Sequence, residues 1–289
     1  VVQSLKTSYS SGKDGISLKV LKECIHALAM PLTHIINSSF ECGQFPSLLK
    51  IAIVKPLPKE KNARHPELFR PISLLSTFSK VLEKIFLNRL SSFLSANDVL
   101  FGGQFGFQKY TSTLNALFHF VSSLSSSLDQ QMHTLGIFLD LSKAFDVVDH
   151  SLLLGKLEHL GFRGKSYEWI SSYLTNRSQL VSVSYMDELG CLRYKESDEL
   201  VLQSGVPQGS VLGPVLFLLF VNDISSSVSK SNLCLFADDT SLSISNKCQQ
   251  QLEVDAFVEG GSVLQWLAEN RLRVNADKTK VVKFSLRSS

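Results

Sequence analysis

Three short segments contain the residues whose types and spacing point to chemistry. Phe138–Asp146 ends an apolar run in a single aspartate, Gly205–Ser210 is a turn flanked by glycines, and Leu235–Thr240 contains two adjacent aspartates. Three carboxylates on neighbouring strand ends are able to hold two divalent cations. Such a pair supports an in-line displacement at phosphorus, because one cation stabilises the attacking oxygen and the other the leaving oxygen.

Asp140, which ends the apolar run of the first segment, follows the predicted strand Thr134–Leu139. The peptide carbonyl of Leu141 is expected to face the same cleft, and Mg²⁺ prefers oxygen ligands of this kind. An aspartate before Ser142–Ala144 also fits an ordinary helix N-cap. Both interpretations stay open for this residue taken alone.

Asp238 and Asp239 lie between two apolar runs, Leu233–Phe236 and Ser241–Ile244, which predict the strands of a β-hairpin. Two adjacent carboxylates repel each other, so the pKa of one should be raised unless a cation lies between them. Neighbouring strand residues point to opposite faces. We therefore expect Asp238 to be the firmer metal ligand and Asp239 the more peripheral one, although turns also favour aspartate on their own.

The turn Gly205–Gly209 precedes a strongly apolar segment, Gly209–Val221, which predicts a buried helix. Glycine permits the close approach of another backbone or a flat base, while Pro207 fixes the loop and Gln208 offers an amide. The free N–H groups of the following helix start are expected to favour a phosphate. A plain strand-to-helix turn is the alternative interpretation.

Composition predicts a globular protein, and the distribution of charge indicates where a phosphate backbone could bind. It has 289 residues, 44% of them hydrophobic, and a net charge of only +3. Lys50–Arg89 holds nine Lys/Arg against three Glu, and Arg271–Arg287 holds six against one Asp. Such basic stretches suit a phosphate backbone, or they are solvated helix faces. The length favours one domain with subdomains.

The five cysteines are scattered, without zinc-ligand spacing, which predicts a reduced, intracellular protein in the nucleus or cytoplasm. The longest apolar stretch, Val211–Val221, is too short to span a bilayer, so no membrane segment is expected.

Long helical patterns interleave with strands, which predicts a mixed α/β (α+β) class with antiparallel pairing at its centre. Beyond the hairpin and the segments above, the predicted helices are Ile16–Phe40, Ser73–Leu94, Thr111–Leu128, Ser151–Leu160, Lys165–Leu174 and Gln250–Leu267, and the predicted strands are Ile51–Leu57, Gln179–Tyr185, Glu199–Gln203 and Lys280–Leu286.

These segments, taken together, resemble the reverse transcriptase domain of non-LTR (LINE-like) retrotransposons over nearly the whole chain. The matching segments are Pro56–Lys59 and Phe69–Leu75 for the fingers, Gln104–Phe107 for the LINE branch, Phe138–His150, Ser204–Asp223 and Leu235–Leu242 for the palm, and Trp266–Lys280 after the hairpin. The resemblance implies a right-hand polymerase core with fingers and an antiparallel palm sheet. It implies a helical extension at 1–48, fingers at about 49–133 and a palm at about 134–286.

The resemblance also implies roles for individual residues. Asp140, Asp238 and Asp239 would be the catalytic triad and, with the carbonyl of Leu141, would bind two Mg²⁺ ions, with Mn²⁺ as the alternative ion. The implied substrate-binding residues are Lys59 and Arg70 at the triphosphate, Gln208 and Gly209 at the templating pair, Phe145 under the sugar, and Lys278 as an acid near the leaving pyrophosphate. A ring at Phe145 would fill the space that a 2′-hydroxyl needs.

The implied reaction is RNA-directed DNA synthesis, with an RNA template, a DNA primer or target and dNTPs as partners. We expect the chain to be a domain piece without the family's endonuclease and without a thumb. An RNA-dependent RNA polymerase, an intron-type maturase and a catalytically inactive nucleic-acid-binding fragment of a retroelement are the alternatives. The sequence does not fix the oligomeric state.

Overall fold

The computed structural model describes residues 1–285, so Leu286, with which the last predicted strand ends, lies outside the described part. The helices are α1 (Leu18–Cys42), α2 (Thr77–Ala96), α3 (Thr113–Asp129), α4 (His150–His159), α5 (Gly164–Leu174), α6 (Gly213–Val221) and α7 (Gln249–Glu269). The strands are β1 (Ile51–Pro58), β2 (Phe69–Leu74), β3 (His133–Leu139), β4 (Ser178–Met186), β5 (Leu192–Glu196), β6 (Leu200–Val201), β7 (Asn232–Phe236), β8 (Asp239–Asn246) and β9 (Lys280–Phe284).

The chain forms two compact units, and each is assembled from two separated segments. The first unit comprises Val1–Phe93 and Leu153–Gly213, and the second comprises Leu94–Leu152 and Pro214 onward. These units are defined by how compactly their residues pack. They do not test the predicted helical extension, fingers and palm, which stay predictions.

The first unit contains a mixed sheet of five strands in the order β2-β1-β4-β5, with β6 also paired to β4. β1 and β2 are antiparallel, whereas β1 and β4 are parallel, with Ile51 opposite Ser178. Three of these strands differ from the sequence predictions. β2 and β5 were not predicted, and β6 is shorter than the predicted strand Glu199–Gln203. The helix predicted from Ser73 starts only at Thr77, because Ser73 and Leu74 belong to β2.

Aromatic packing holds α1, α2 and α5 together within the first unit. Trp169 of α5 stacks on Phe86 of α2 with ring centroids 4.4 Å apart, and its indole N–H donates to Ser39 Oγ of α1 at 2.9 Å. Trp169 is 1% exposed, so this contact lies in the core. None of the helices within residues 1–285 has the length and apolar character needed to cross a bilayer.

The second unit contains a fully antiparallel sheet in the order β7-β8-β3-β9. Phe120 of α3 packs on Phe138 of β3 at 5.3 Å, while Gly260 of α7 lies over the neighbouring Ile137. Because successive strand residues face opposite sides, α3 and α7 cover the two faces of the sheet. This confirms the predicted mixed class with antiparallel pairing at its centre.

Candidate active site

The three predicted aspartates lie at one edge of the antiparallel sheet in the second unit. Strands β3 and β8 pair with Leu139 opposite Thr240, and strands β7 and β8 pair with Phe236 opposite Asp239. Asp140 follows β3 directly, so the register brings it beside the turn of the β7–β8 hairpin. The predicted convergence of the first and third segments is therefore present in the fold.

The alternative of Asp140 as a helix N-cap is wrong. Turns rather than a helix follow it, and the next helix, α4, starts only at His150. The side chain that serves that helix start is Asp149, whose carboxylate accepts the N–H of Leu152 at 3.0 Å. The carboxylate of Asp140 therefore does not cap a helix.

The hairpin turn is tight and places its two carboxylates differently. Ala237 has a φ of 58°, in the left-handed region, so the chain reverses at this residue. Asp238 is half-buried and Asp239 is exposed. This difference agrees with the expectation that Asp239 is the more peripheral of the two, while the role of Asp238 as the firmer metal ligand stays a prediction.

Burial and mutual repulsion perturb both carboxyl groups of the turn. Burial raises the pKa of Asp238, the charge of Asp140 raises it further, and a backbone hydrogen bond and Lys278 oppose the increase. Burial also raises the pKa of Asp239, with repulsion from Asp238 and Asp140 adding to it. Like charges in proximity favour protonation of one group, and a cation between them would reverse the effect.

Lys278 and the peptide of Leu141 complete the surroundings of Asp140. The Nζ of Lys278 lies 3.5 Å from Asp140 Oδ2. Leu141 forms an isolated antiparallel bridge with Val274, closed by the N–H of Asn275 donating to the Asp140 carbonyl at 2.8 Å. Within residues 1–285, no hydrogen bond reaches the carbonyl oxygen of Leu141. That carbonyl is therefore available as an oxygen ligand.

The donor chemistry of this edge fits a hard divalent cation. Asp140, Asp238 and Asp239 offer carboxylates, Leu141 offers a carbonyl, and such oxygens are the preferred ligands of Mg²⁺ and Mn²⁺. Among residues 1–285, no group of three or more His, Cys, Asp or Glu side chains is arranged so that it could hold a metal ion. This sheet edge thus offers the oxygen ligands that such a cation prefers, but its side chains are not arranged in a coordination geometry.

Phe145 lies five residues after Asp140 and is held by two other rings. It stacks on Phe217 of α6 with centroids 4.6 Å apart and planes 23° apart, and it meets Phe107 edge-on at 6.0 Å. Its side chain is only partly buried. A ring that is stacked on one neighbour and only partly buried is suited to steric selection.

The glycine-flanked turn lies in the first unit and contacts β2. The N–H of Ser73 donates to the Gln208 carbonyl at 2.8 Å. Gly209 has a φ of 120°, and a Cβ there would lie 2.7 Å from the Ser73 carbonyl oxygen. Close backbone approach is therefore the reason for glycine at this position, as the sequence predicted.

The expected free amides after this turn are a wrong prediction. The carboxylate of Glu83, on α2, accepts the N–H groups of Val211 and Leu212 at 2.7 and 3.1 Å, and Ser210 Oγ accepts that of Gly213 at 2.9 Å. Helix α6 begins at Gly213, four residues later than predicted, after this capped turn. Its first N–H groups are already bonded and do not form a phosphate site.

Lys59 and Arg70, the two predicted finger residues, lie at the strand ends of the same unit. The Nζ of Lys59 donates to the Glu67 carbonyl at 2.8 Å, and Arg70 on β2 is exposed opposite Leu57. Within residues 1–285, Arg70 has no ion-pair partner. The predicted roles of both residues remain predictions.

A comparison with protein-family models decides the family. Residues 57–287 match the model described as "Reverse transcriptase (RNA-dependent DNA polymerase)". The chain belongs to the reverse transcriptase family. The resemblance found in the sequence is thereby confirmed, and members of this family generally use divalent metal ions.

Relatives of this reverse transcriptase chain come from mobile elements. It is 30% identical over 295 residues to "Probable RNA-directed DNA polymerase from transposon BS" of Drosophila melanogaster, covering 99% of this chain and 32% of the relative. It is 29% identical to "RNA-directed DNA polymerase from mobile element jockey" of the same species, covering 100% and 31%. The chain thus spans about a third of the length of these relatives, and their names give no support to an RNA-dependent RNA polymerase.

A solved telomerase from Candida albicans, in complex with a fragment of telomeric RNA, covers 83% of this chain and 44% of its own. The TM-score is 0.49 and the identity 15%. The family assignment does not depend on this likeness.

Two side chains of this reverse transcriptase chain bear on the site and were not singled out by the sequence. Glu83 is a fully buried carboxylate within the apolar stripe of α2, and Gln104 is 3% exposed beside the hairpin. A polar residue inside an apolar pattern was the available signal for Glu83. Gln104 was noticed only as part of the Gln104–Phe107 motif.

Proposed function

We propose that this chain is the catalytic core of an RNA-directed DNA polymerase, which adds deoxynucleotides to a 3′-hydroxyl and releases pyrophosphate. The observation that carries the proposal is the shared sheet edge of Asp140, Asp238 and Asp239 in a reverse transcriptase chain. An RNA template, a DNA primer or target and dNTPs are the proposed partners, in the nucleus or cytoplasm.

We assign the three aspartates and the Leu141 carbonyl as ligands of two Mg²⁺ ions, with Mn²⁺ as the alternative ion. When bound, these ions would activate the attacking hydroxyl and neutralise the charge that develops on the leaving pyrophosphate. Support comes from the hard oxygen donors at this edge and from the raised pKa values of Asp238 and Asp239, which reflect burial and unbalanced negative charge.

Positioning and electrostatics supply most of the catalysis in phosphoryl transfer, because the protein forms no covalent bond with the phosphoryl group. Rigid strand ends are suited to such positioning, since Asp140 is fixed through the Leu141–Val274 bridge and the turn aspartates through the β7–β8 pairing. We propose Lys278, 66% exposed and 3.5 Å from Asp140, as the acid that protonates the leaving pyrophosphate.

Selection of deoxynucleotides is proposed to depend on the ring of Phe145. Phe217 supports one face of the ring, so it cannot retreat easily when a ribose 2′-hydroxyl approaches. Burying that hydroxyl against an apolar ring without a hydrogen bond would also cost desolvation energy. Both effects disfavour ribonucleotides.

The remaining roles rest on the sequence resemblance. We propose that Lys59 and Arg70 contact the triphosphate, Arg70 through the paired hydrogen bonds that guanidinium makes with phosphate oxygens. We propose that Gln208 and Gly209 line the pocket of the templating pair. The exposure of Arg70 and the close backbone packing of Gly209 are compatible with these roles.

The purified chain, supplied with Mg²⁺, poly(rA)/oligo(dT) and dTTP, tests the proposal. We expect extension of the primer that depends on the metal and is lost in Asp140→Ala. Asp129→Ala, an exposed aspartate at the end of α3, is the control and should retain activity. Salt-dependent binding of RNA without extension by the parent chain would contradict the polymerase and favour the inactive nucleic-acid-binding fragment.

A further inference from the structure

A short segment runs along the outer edge of β7 and extends the antiparallel sheet of the second unit. Gln104 forms an isolated parallel bridge with Leu235. The N–H of Phe105 donates to the Leu235 carbonyl at 2.8 Å, and the N–H of Leu235 donates to the Gly103 carbonyl at 2.8 Å. The segment Gly103–Gly106, called here the edge segment, is therefore bonded to the strand that leads into the aspartate turn.

The side chain of Gln104 continues from this bridge to the turn itself. Its Oε1 accepts the N–H of Ala237 at 3.0 Å and the N–H of Gly106 at 2.7 Å. The side chain is buried, and Ala237 directly precedes Asp238. One buried oxygen thus joins the edge segment to the residue at which the hairpin reverses.

Ala237 needs such support because its backbone is in the left-handed region, with a φ of 58°. This conformation is unfavourable for residues with a Cβ, and a buried N–H without an acceptor adds a desolvation cost. The Gln104 oxygen removes the second cost and favours the reversed conformation. Without this acceptor, the backbone of Ala237 would more readily leave the left-handed conformation.

Gly106 makes this contact sterically feasible. A Cβ at Gly106 would lie 2.2 Å from the Ala237 nitrogen and 3.0 Å from its Cβ. Any larger residue at 106 would push the edge segment away from the turn. The close approach and the shared acceptor are therefore two parts of one contact.

We propose that Gln104 is a positioning residue, which fixes the turn that carries Asp238 and Asp239 and thereby sets their affinity for divalent cations. The inference deepens the proposed function and rests on it for the role of the cations. Gln104 does not contact the reacting groups; it acts through the backbone of Ala237.

The amide nitrogen of Gln104 indicates which substitutions at this position would keep or remove the contact with Ala237. Within residues 1–285, Gln104 Nε2 is buried and has no hydrogen-bond partner. The amide is nevertheless oriented by its oxygen, since both neighbouring groups are N–H donors and require an acceptor. Gln104→Glu keeps an acceptor of the same reach, whereas Gln104→Met keeps the length and removes the acceptor.

Hydrogen exchange at the Ala237 amide tests the contact directly, by NMR on the full chain. We expect exchange at Ala237 to accelerate about tenfold or more in Gln104→Met, the change that corresponds to losing one typical hydrogen bond. Gln104→Glu should retain the protection, and the exposed control Gln130→Met should match the parent. Parental protection of Leu242 and Ile244 would show that the sheet is still folded in each variant. Unchanged exchange at Ala237 in Gln104→Met would overturn the proposal.

A Mn²⁺ titration of primer extension tests the consequence for the metal site. We expect Gln104→Met to raise the half-saturating Mn²⁺ concentration about tenfold with a nearly unchanged KM for dTTP, a split that general loss of folded protein would not produce. Accelerated exchange combined with parental Mn²⁺ dependence would refute the positioning role. If the parent neither binds Mn²⁺ nor extends a primer, the proposed function fails, while exchange at Ala237 still decides whether Gln104 holds the turn.

Discussion

Leu139 pairs directly with Thr240 across strands β3 and β8, and this one pairing brings Asp140 to the turn that carries Asp238 and Asp239. The register matters because a shift by a single residue would turn every side chain of the strand to the other face of the sheet. Leu242 and Ile244 on β8 are buried and alternate with Ser241, Ser243 and Ser245, so a slip would put serines in the places of the two apolar side chains.

Replacement of the two turn aspartates should have unequal effects on nucleotide addition. We expect Asp238→Asn to lower the rate about a thousandfold or more, equivalent to about 4 kcal/mol of transition-state stabilisation. Asp239→Asn should lower it less, because its side chain is the more exposed of the two. Single-nucleotide incorporation at saturating Mg²⁺ measures both, and equal losses would contradict the assigned difference.

Removal of the ring at position 145 should relax sugar selection. We expect Phe145→Ala to lower the preference for dTTP over UTP by about tenfold or more, a size typical of steric discrimination in a pocket. Phe257→Ala, an exposed ring on α7, is the matched control and should leave the preference unchanged. Retained discrimination in a folded Phe145→Ala protein would argue that Phe145 is only a packing residue.

Glu83→Gln should destabilise the protein by about 1–3 kcal/mol, the cost of leaving buried groups imperfectly bonded. The carboxylate accepts from the Ser79 hydroxyl and from the N–H groups of Val211 and Leu212. The amide of glutamine has a single, uncharged oxygen, so it would weaken the bonds to the two N–H groups and lose the bond accepted from Ser79. Urea unfolding measures the change. The exposed Glu60→Gln serves as the control, and equal stabilities of the two variants would show that the Glu83 bonds contribute nothing.

The free energy of unfolding should decrease in acid because Glu259, on α7, becomes protonated. Burial alone raises its pKa, but hydrogen bonds from Ser231 and Ser229 and from backbone N–H groups outweigh this and lower it. A carboxyl whose pKa is lowered on folding stabilises the protein above its ordinary titration range, and this stability is lost as the pH falls through the folded-state pKa. We expect the free energy of unfolding to drop below about pH 4.5 less steeply in Glu259→Gln than in the parent.

Unfolding measured between about pH 3 and pH 7 tests this slope. Glu253→Gln, exposed on the same helix, should keep the parental pH dependence. Parallel curves for the parent and Glu259→Gln would show that the bonds to the Ser229–Ser231 turn do not favour the ionised form.

The sequence predicted β3, β7, β8 and their aspartate edge because these three strands contain buried apolar residues. It missed β5, since all five of its side chains are exposed and leave no apolar pattern. It also placed the start of α6 too early, because the bonds from Val211 and Leu212 to Glu83 depend on a helix distant in the chain. The contact between Gln104 and Ala237 is tertiary in the same way and leaves no local signal.

Anomalous diffraction from crystals grown with Mn²⁺, a primer–template and a non-extendable primer end tests the central claim most directly. We predict Mn²⁺ peaks bound by Asp140 and Asp238 in the parent protein and their loss in Asp238→Asn crystals. Mn²⁺ bound only at other carboxylates, with an empty edge between Asp140 and the Ala237 turn, would contradict the account.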